Sequence, residues 1–253
     1  GDEGNPLNPD SLVKLQECLD YGISSNDICV LLLRSNARTF CTGMDLDALS
    51  GQSGGTAELR KAVEGYSGLL NTIYTAPKPV IGVVSGEVRA GGVGLACACD
   101  ILCATPDSSF GLGEALFGLV PANVLPYLLG YRVTPQKARY LALTTRPISG
   151  EEAHRLGVVD ELSGPERMEK LLKDRIRRLL RCSPEALGRI KLLTSHMPGV
   201  DRQSSIDAAV ETLVEVASDP KVLTAIREFR EGTTPPWFSR YKPSHKLFQE
   251  ENR

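Results

Sequence analysis

One carboxylate and two glycine turns are the parts of this sequence whose residue types and spacing suit chemistry. The stretch from Pro79 to Pro126 begins with an apolar, β-branched run, breaks at Gly91-Gly92, continues with small residues at helical spacing and then delivers Glu114. Glycine leaves backbone N–H groups bare, and the first N–H groups of a following helix have no intrahelical acceptor. Such donors stabilise a developing oxyanion, each contributing about 10² to 10³ in rate. A Gly-Gly pair alone is equally well explained as a tight turn needed for packing.

A second apolar run that ends in a glycine turn favours the chemical interpretation. Residues 28–33 are strand-like, and they lead into Thr39-Phe40-Cys41-Thr42-Gly43-Met44-Asp45-Leu46, an exposed turn followed by a helix-like start. Two turns of this kind can direct two N–H donors at one oxygen.

These residues resemble the enoyl-CoA hydratase/isomerase, or crotonase, superfamily over nearly the whole chain. The motifs that carry the resemblance are residues 40–46, residues 86–100 and Phe110-Gly111-Leu112-Gly113-Glu114. The resemblance implies an α/β fold with a ββα-superhelix, or spiral, core. It also implies that the N–H groups of Met44 and Gly91 form an oxyanion hole, which holds a thioester carbonyl as it becomes an enolate.

The chain departs from the family pattern at one position. Family hydratases carry a catalytic glutamate three residues after the second oxyanion glycine and another in the FGxxE motif; here these positions are Gly94 and Glu114. An ordinary hydratase uses both carboxylates, whereas several family isomerases work with the second alone. A bound water beside Gly94 is one way to fill the place of the first.

A narrower resemblance points to one branch of the superfamily. Residues 117–129, 136–140 and 146–149, with Pro236-Trp237, are similar to the 3-hydroxy-3-methylglutaryl-ACP dehydratases of polyketide β-branching cassettes, which also carry glycine at the first position. The resemblance implies a lyase that dehydrates a β-hydroxyacyl thioester. The substrate is carried on the phosphopantetheine of acyl carrier protein (ACP), or on CoA, and no separate cofactor is implied.

Several further residues are candidates for substrate contact. Asn123, inside an apolar segment, is placed to orient water or the leaving hydroxyl, or simply to satisfy local backbone. An apolar stripe predicts a helix over residues 57–74; its members are Leu59, Val63, Tyr66, Leu70 and Ile73. Arg60 and Lys61, near the start of this helix, are suited to meet an acyl carboxylate, although solvated surface charge is the more ordinary explanation. The residues expected to line the substrate are Cys41, Gly43, Gly92, Arg60 and Lys61. The thiol of Cys41 has packing as its alternative role.

Composition excludes several classes of partner. With 42% hydrophobic and 24% charged residues and a net charge of −2, the chain is ordinary globular material without a basic stripe or a long apolar run, so we expect neither nucleic acid nor membrane as partner. Its seven cysteines lack metal-site spacing, so we expect no metal and no disulfide framework. These features predict a cytoplasmic protein.

The resemblance divides the chain into two regions. Residues 1–182 are expected to form the spiral core, with the family's N-terminal hairpin apparently missing, and residues 183–253 a C-terminal helical region that makes a homotrimer or a dimer of trimers. The aromatic residues of the tail are expected to pack on a neighbouring subunit or over the active-site entrance; they are Trp237, Phe238, Tyr241 and Phe248. The basic face of residues 165–181 is suited to attract acidic ACP.

Two alternatives stay open at this point. One is a single-glutamate enoyl-CoA isomerase or hydratase of fatty-acid metabolism. The other, of a different class, is a non-catalytic scaffold that binds acyl-ACP or acyl-CoA and has kept the oxyanion turns. Turnover of hydroxyacyl and 3-enoyl thioesters separates these possibilities.

Overall fold

A computed structural model describes residues 4–35, 38–45, 55–196 and 201–237 of the chain. The chain divides into two units, Gly1–Leu171 and Leu172–Arg253. This division lies inside a helix, whereas the sequence places the boundary after Cys182, between two helices.

The first unit alternates pairs of strands with helices. Its elements are α1 (Pro9–Ser24), β1 (Leu31–Arg34), β2 (Thr39–Cys41), α2 (Gly55–Thr75), β3 (Val80–Val84), β4 (Glu87–Arg89), α3 (Gly91–Ala98), β5 (Ile101–Ala104), β6 (Ser109–Gly111), a 3₁₀ helix (Glu114–Phe117), α4 (Leu125–Tyr131), α5 (Pro135–Thr144), β7 (Ile148–Ser149), α6 (Gly150–Leu156) and β8 (Glu161–Leu162). Helix α7 (Pro165–Leu179) crosses the division between the units.

The strands form two sheets, with orders β1-β3-β5-β8 and β2-β4-β6-β7. The first three pairs, β1/β2, β3/β4 and β5/β6, each give one strand to each sheet, and these strands run parallel to their neighbours. Strand β7 closes the second sheet by pairing antiparallel with β6. This repeated strand–strand–helix path confirms the predicted α/β spiral.

The helices α2 and α3 bury different shares of their surface. On α2 the predicted apolar stripe is buried at Tyr66, Leu70 and Ile73, but Leu59 and Val63 at its start are exposed. Every residue of α3 is buried. The small side chains that the sequence places there let this helix lie in the core with neighbours close on all sides.

The second unit contains α8 (Pro184–His196), α9 (Arg202–Ser218) and α10 (Pro220–Arg230). Asp219 separates α9 from α10, and its carboxylate accepts a hydrogen bond from the Lys221 N–H at 2.7 Å. Trp237 is partly buried, while Phe238, Tyr241 and Phe248 lie outside the described residues. The role of this unit in oligomerisation stays a prediction.

The C-terminal end of α3 is held by one arginine. The guanidinium of Arg132 is almost fully buried, and it donates to the carbonyl oxygens of Cys97 and Cys99 and to the Val158 carbonyl at 3.0 Å. It also pairs with the Asp160 carboxylate at 2.8 Å, which in turn accepts from the Leu102 N–H at 2.6 Å. Arg132 therefore ties α3 to the segment that leads into β8.

Arg132→Met is expected to destabilise the protein by about 3 to 5 kcal/mol, because it removes the donor to the carbonyls of Cys97, Cys99 and Val158 and the charge partner of Asp160. For a domain of this size that corresponds to a fall in Tm of roughly 10 °C. Arg139→Met, the same change at an exposed position of α5, is the control and should leave Tm nearly unchanged. Equal Tm values for the two variants in thermal unfolding would contradict this account.

Candidate active site

The two glycine turns that the sequence singles out contact each other. Gly43 has φ of 90°, and a Cβ built on it would lie 2.8 Å from the Cβ of Ala90 and 3.0 Å from the nitrogen of Gly91. A Cβ built on Gly92 would lie 2.5 Å from the carbonyl oxygen of Cys41. Real Cβ atoms do not approach other atoms this closely, so the turns can meet only because both positions are glycine.

The hydrogen bonds around the first turn leave one donor unused. Leu7 donates its N–H to the carbonyl of Gly43 at 2.8 Å and accepts from the N–H of Asp45 at 3.0 Å. The N–H of Met44, between these two bonds, donates to no other group in the described part of the chain. Gly91 is the first residue of α3, so its N–H has no acceptor one turn earlier in the helix.

Strand β6 connects the segment that carries Glu114 to the second glycine turn. The N–H of Ala90 donates to the carbonyl of Gly111 at 2.8 Å, which joins the second glycine turn to the strand that ends three residues before Glu114. Glu114 is the first residue of the 3₁₀ helix. Direct contacts therefore link three chain segments. Two of these segments carry the glycine turns, and the third carries Glu114.

The carboxyl group of Glu114 is poorly solvated and poorly bonded. Its Oε2 is buried and has no hydrogen-bond partner among the described residues. Burial raises the pKa of Glu114 above its ordinary value, and a backbone hydrogen bond only partly offsets that effect. A carboxyl group of this kind takes up and releases protons at a higher pH than a solvated glutamate, which suits it to general acid–base work.

The space beside Gly94 is filled by the phenol of Tyr66. The Tyr66 hydroxyl donates to the carbonyl of Gly91, and a Cβ built on Gly94 would overlap the hydroxyl oxygen. Sequence reasoning placed Tyr66 only in the apolar stripe of α2 and did not assign it to the site. The sequence contains one indication of this role, a tyrosine on the apolar face of a predicted helix, because the O–H of a buried tyrosine needs a hydrogen-bond partner.

Asn123 lies against α2. Its side-chain NH₂ donates to the carbonyl of Val63 at 3.2 Å and to the Ser67 hydroxyl at 2.9 Å. Through these bonds Asn123 connects the segment after the 3₁₀ helix to α2, which is a structural role. Its contact with water or a leaving hydroxyl stays a prediction.

The remaining candidates differ in accessibility. Arg60 and Lys61 are exposed near the start of α2, where Arg60 pairs with Glu64 at 3.5 Å. Their contact with an acyl carboxylate stays a prediction. Cys41 is buried, and burial raises the pKa of its thiol to about 11 although the Gly43 N–H lies 3.4 Å from the sulfur. The thiol is therefore protonated at neutral pH and packs beneath Gly92.

Comparisons with known proteins agree with this geometry. The family model described as enoyl-CoA hydratase/isomerase matches residues 2–240. The chain is 31% identical to the bacillaene synthase dehydratase PksH of Bacillus subtilis, with 93% of this chain and 89% of PksH covered. Among solved structures, Pseudomonas aeruginosa AtuE matches with a TM-score of 0.84 at 28% identity, over 90% of this chain and 89% of AtuE. An enoyl-CoA hydratase from Shewanella pealeana shares the fold, with a TM-score of 0.87 at 24% identity over 93% of this chain and 88% of that protein.

The spiral α/β fold, the contact between the two glycine turns and the buried carboxylate of Glu114 suit an enzyme that acts on a polarised carbonyl. The chain belongs to the enoyl-CoA hydratase/isomerase family of enzymes, and relatives named dehydratase and enoyl-CoA hydratase are consistent with hydro-lyase chemistry. None of the helices in the described ranges has the length and apolar character needed to cross a membrane.

Burial of an ionised Glu114 should cost stability, and Glu114→Gln should recover it. Because the folded-state pKa is raised, the protonated form favours folding, and this contribution is lost as pH rises through that pKa. We therefore expect Glu114→Gln to have a higher Tm than the wild type at about pH 8, and the difference to vanish below about pH 4, where a glutamate is neutral in both states.

The control is Glu151→Gln, an exposed glutamate in the first turn of α6, which should not raise Tm at any pH. Differential scanning calorimetry across the pH range measures both variants. A lower Tm for Glu114→Gln than for the wild type at alkaline pH would show that the carboxylate is stabilised rather than strained.

Proposed function

We propose that the protein dehydrates a β-hydroxyacyl thioester, with 3-hydroxy-3-methylglutaryl-ACP as substrate and 3-methylglutaconyl-ACP as product. The observation that carries this proposal is the buried carboxylate oxygen of Glu114, on a segment linked to the two glycine turns, while Gly94 leaves no acid at the other family position. The 31% identity to PksH, which is named a dehydratase, supports the reaction type.

The reaction follows from the placement of these groups. The N–H groups of Met44 and Gly91 bind the thioester oxygen and stabilise the negative charge that develops on it, which acidifies the C2 proton. The Glu114 carboxylate takes that proton and an enolate forms. The enolate electron pair then forms the C2–C3 double bond as the C3–O bond breaks, and the hydroxyl leaves as water with the proton that Glu114 returns. Atoms and charge balance, and no metal or separate cofactor takes part.

An isomerase is the second candidate, and the same observation favours it. With one carboxylate, Glu114 can move a proton from C2 of a 3-enoyl thioester to C4, which shifts the double bond without release of water. The two activities are separated by offering both substrate types and following water loss or double-bond position by mass spectrometry and NMR. A protein that turns over only the 3-enoyl thioester is the isomerase.

Glu114→Gln should lower turnover by at least about 10³, because the only proposed proton carrier is lost while the oxyanion donors remain. Substrate binding should change little. Glu151→Gln serves again as control and should keep wild-type kcat. A Glu114→Gln variant with near-normal turnover would end this assignment.

The pH profile gives an independent check on the same carboxylate. Glu114 acts first as a base, so kcat/KM should fall as pH drops through its pKa. Because burial raises that pKa, the fall should begin at a higher pH than an ordinary glutamate would give. An acid limb at the value of a solvated glutamate would count against Glu114 as the base.

The carrier is tested with matched substrates. We expect 3-hydroxy-3-methylglutaryl-ACP to have a kcat/KM at least about 10-fold above its CoA counterpart, because contacts with the carrier protein add to encounter rate and affinity. The assay follows the loss of water from the acyl group by mass spectrometry of the intact acyl-ACP. Equal kcat/KM values for the two carriers would show that the protein part of ACP is not recognised.

A further inference from the structure

Tyr66 lies at the second glycine turn, and the reaction described above gives it no task. Its side chain is 3% exposed, and its hydroxyl donates to the carbonyl oxygen of Gly91. A Cβ built on Gly91 would lie 3.3 Å from the hydroxyl oxygen, and one built on Gly94 would overlap it. The phenol therefore fills the space over two glycines that are three residues apart on one face of α3.

The hydrogen bond from Tyr66 holds the carbonyl of the peptide that joins Gly91 to Gly92, directly after the peptide that carries the Gly91 N–H. The peptide directly before it is held by the bond from the Ala90 N–H to the carbonyl of Gly111, at 2.8 Å. The peptide joining Ala90 to Gly91 therefore lies between two anchored peptides, and its own carbonyl accepts from the Val93 N–H at 2.9 Å. Because glycine has wide φ and ψ freedom, the direction of the Gly91 N–H depends on anchors of this kind.

The backbone at Ala90 makes this anchoring necessary. Ala90 has φ of 45° and ψ of −121°, a conformation that residues with a Cβ rarely adopt and that costs about 1 to 3 kcal/mol. Such a conformation persists only where surrounding contacts enforce it. We expect that loss of the Tyr66 bond gives Ala90 more freedom to relax and so changes the direction of the neighbouring Gly91 N–H.

Helix α2 is itself held in place around Tyr66. The side-chain NH₂ of Asn123 donates to the carbonyl of Val63 and to the hydroxyl of Ser67, which lie on either side of Tyr66 in the sequence. The position of the phenol is therefore set by the segment that follows the 3₁₀ helix of Glu114.

We propose that Tyr66 is a positioning residue for the oxyanion hole. Its hydroxyl holds the Gly91 carbonyl and so stabilises the backbone of the second glycine turn. By filling the space over Gly94, the same hydroxyl excludes any side chain from that position. This inference rests on the proposed function only in that the Gly91 N–H binds the thioester oxygen. It makes Gly94 and Tyr66 a matched pair, so the site admits one carboxylate, from Glu114.

The phenol acts as a neutral donor. Burial raises the pKa of Tyr66 well above its ordinary value, and negative charge on Cys41, Cys97 and Glu114 would raise it further. The hydroxyl is consequently protonated throughout the range in which the enzyme is assayed. The contribution of Tyr66 should be independent of pH, unlike that of Glu114.

The first test is Tyr66→Phe with 2,4-hexadienoyl-CoA as probe. The absorption of this conjugated thioester shifts to longer wavelength when its carbonyl is polarised, so the shift on binding reports the oxyanion hole directly. We expect Tyr66→Phe to bind the probe with a smaller red shift, and to lower kcat about 10-fold, part of the 10² to 10³ that one donor contributes, with KM within about twofold. The ratio of wild-type to variant kcat should be constant from about pH 6 to about pH 9.

Tyr74→Phe is the matched control, because it removes another phenol hydroxyl from the same helix. The ring of Tyr74 packs on Tyr131, with centroids 4.4 Å apart, and the hydroxyl of Tyr74 is hydrogen-bonded to Tyr131. This variant should keep the wild-type red shift and kcat. A Tyr66→Phe variant that also keeps both would overturn the inference and leave Tyr66 a packing residue.

The second test uses the matched pair and does not depend on activity. Gly94→Ala alone should lower Tm strongly, because its Cβ meets the Tyr66 hydroxyl. In the Tyr66→Phe background the nearest atoms would be methyl groups of Leu70 and Val124, each 3.3 Å away, so most of the lost Tm should return. Additive effects of the two changes would contradict the proposed pairing.

The outcomes separate this inference from the proposed function. If the wild type binds the probe without a red shift, the oxyanion hole itself is absent and both proposals fail. If the wild type shifts but does not dehydrate any hydroxyacyl thioester, only the proposed reaction fails, and a reduced shift in Tyr66→Phe still supports the positioning role. A normal shift in Tyr66→Phe overturns that role alone.

Discussion

The close approach of two backbone turns is the constraint on which the site depends. A Cβ on Gly43 would lie 2.8 Å from the Ala90 Cβ, and a Cβ on Gly92 would lie 2.5 Å from the Cys41 carbonyl oxygen, so the turns can converge only where side chains are absent. The elements around the second turn support that contact. Strands β4 and β6 fix the second turn by pairing, and Arg132 fixes the far end of the helix that begins there. The order of the spiral brings distant glycines to one place because each strand pair adds to both sheets.

The site departs from stable packing in two ways. Glu114 has a buried carboxylate oxygen without a hydrogen-bond partner in the described part of the chain, and Ala90 holds a backbone conformation that favours glycine. Either would be removed easily by substitution if stability alone were selected. Both lie within a few residues of the proposed oxyanion donor or base, where strain and poor solvation serve reactivity.

Much of the fold follows from local patterns in the sequence, whereas the identity of the side chain that fills the space beside Gly94 does not. The apolar run that begins at Pro79 predicts β3, which spans Val80–Val84, and the apolar stripe on α2 predicts which face is buried from Tyr66 onward. The exposed Leu59 and Val63 show the limit, because periodicity identifies an apolar face but not what covers it. Gly94 was visible as a departure from the family pattern. That a tyrosine 28 residues earlier occupies its space depends on how α2 lies against α3, which no local pattern encodes.

The proposed pairing of Tyr66 with Gly94 limits the chemistry of the site to proton transfers that one carboxylate can perform. In the two proposed reactions, elimination of water and migration of a double bond, the first step is the same: Glu114 takes the C2 proton of a thioester whose oxygen is held by two N–H groups. The reactions differ in the atom that receives the proton, which is the C3 oxygen in one case and C4 in the other. A substrate with a hydroxyl on C3, such as 3-hydroxy-3-methylglutaryl thioester, presents its oxygen one bond beyond the carbon next to C2. In the proposed dehydration the carboxylate that took the C2 proton returns it to that nearby oxygen, so the proposal requires no second acid at position 94.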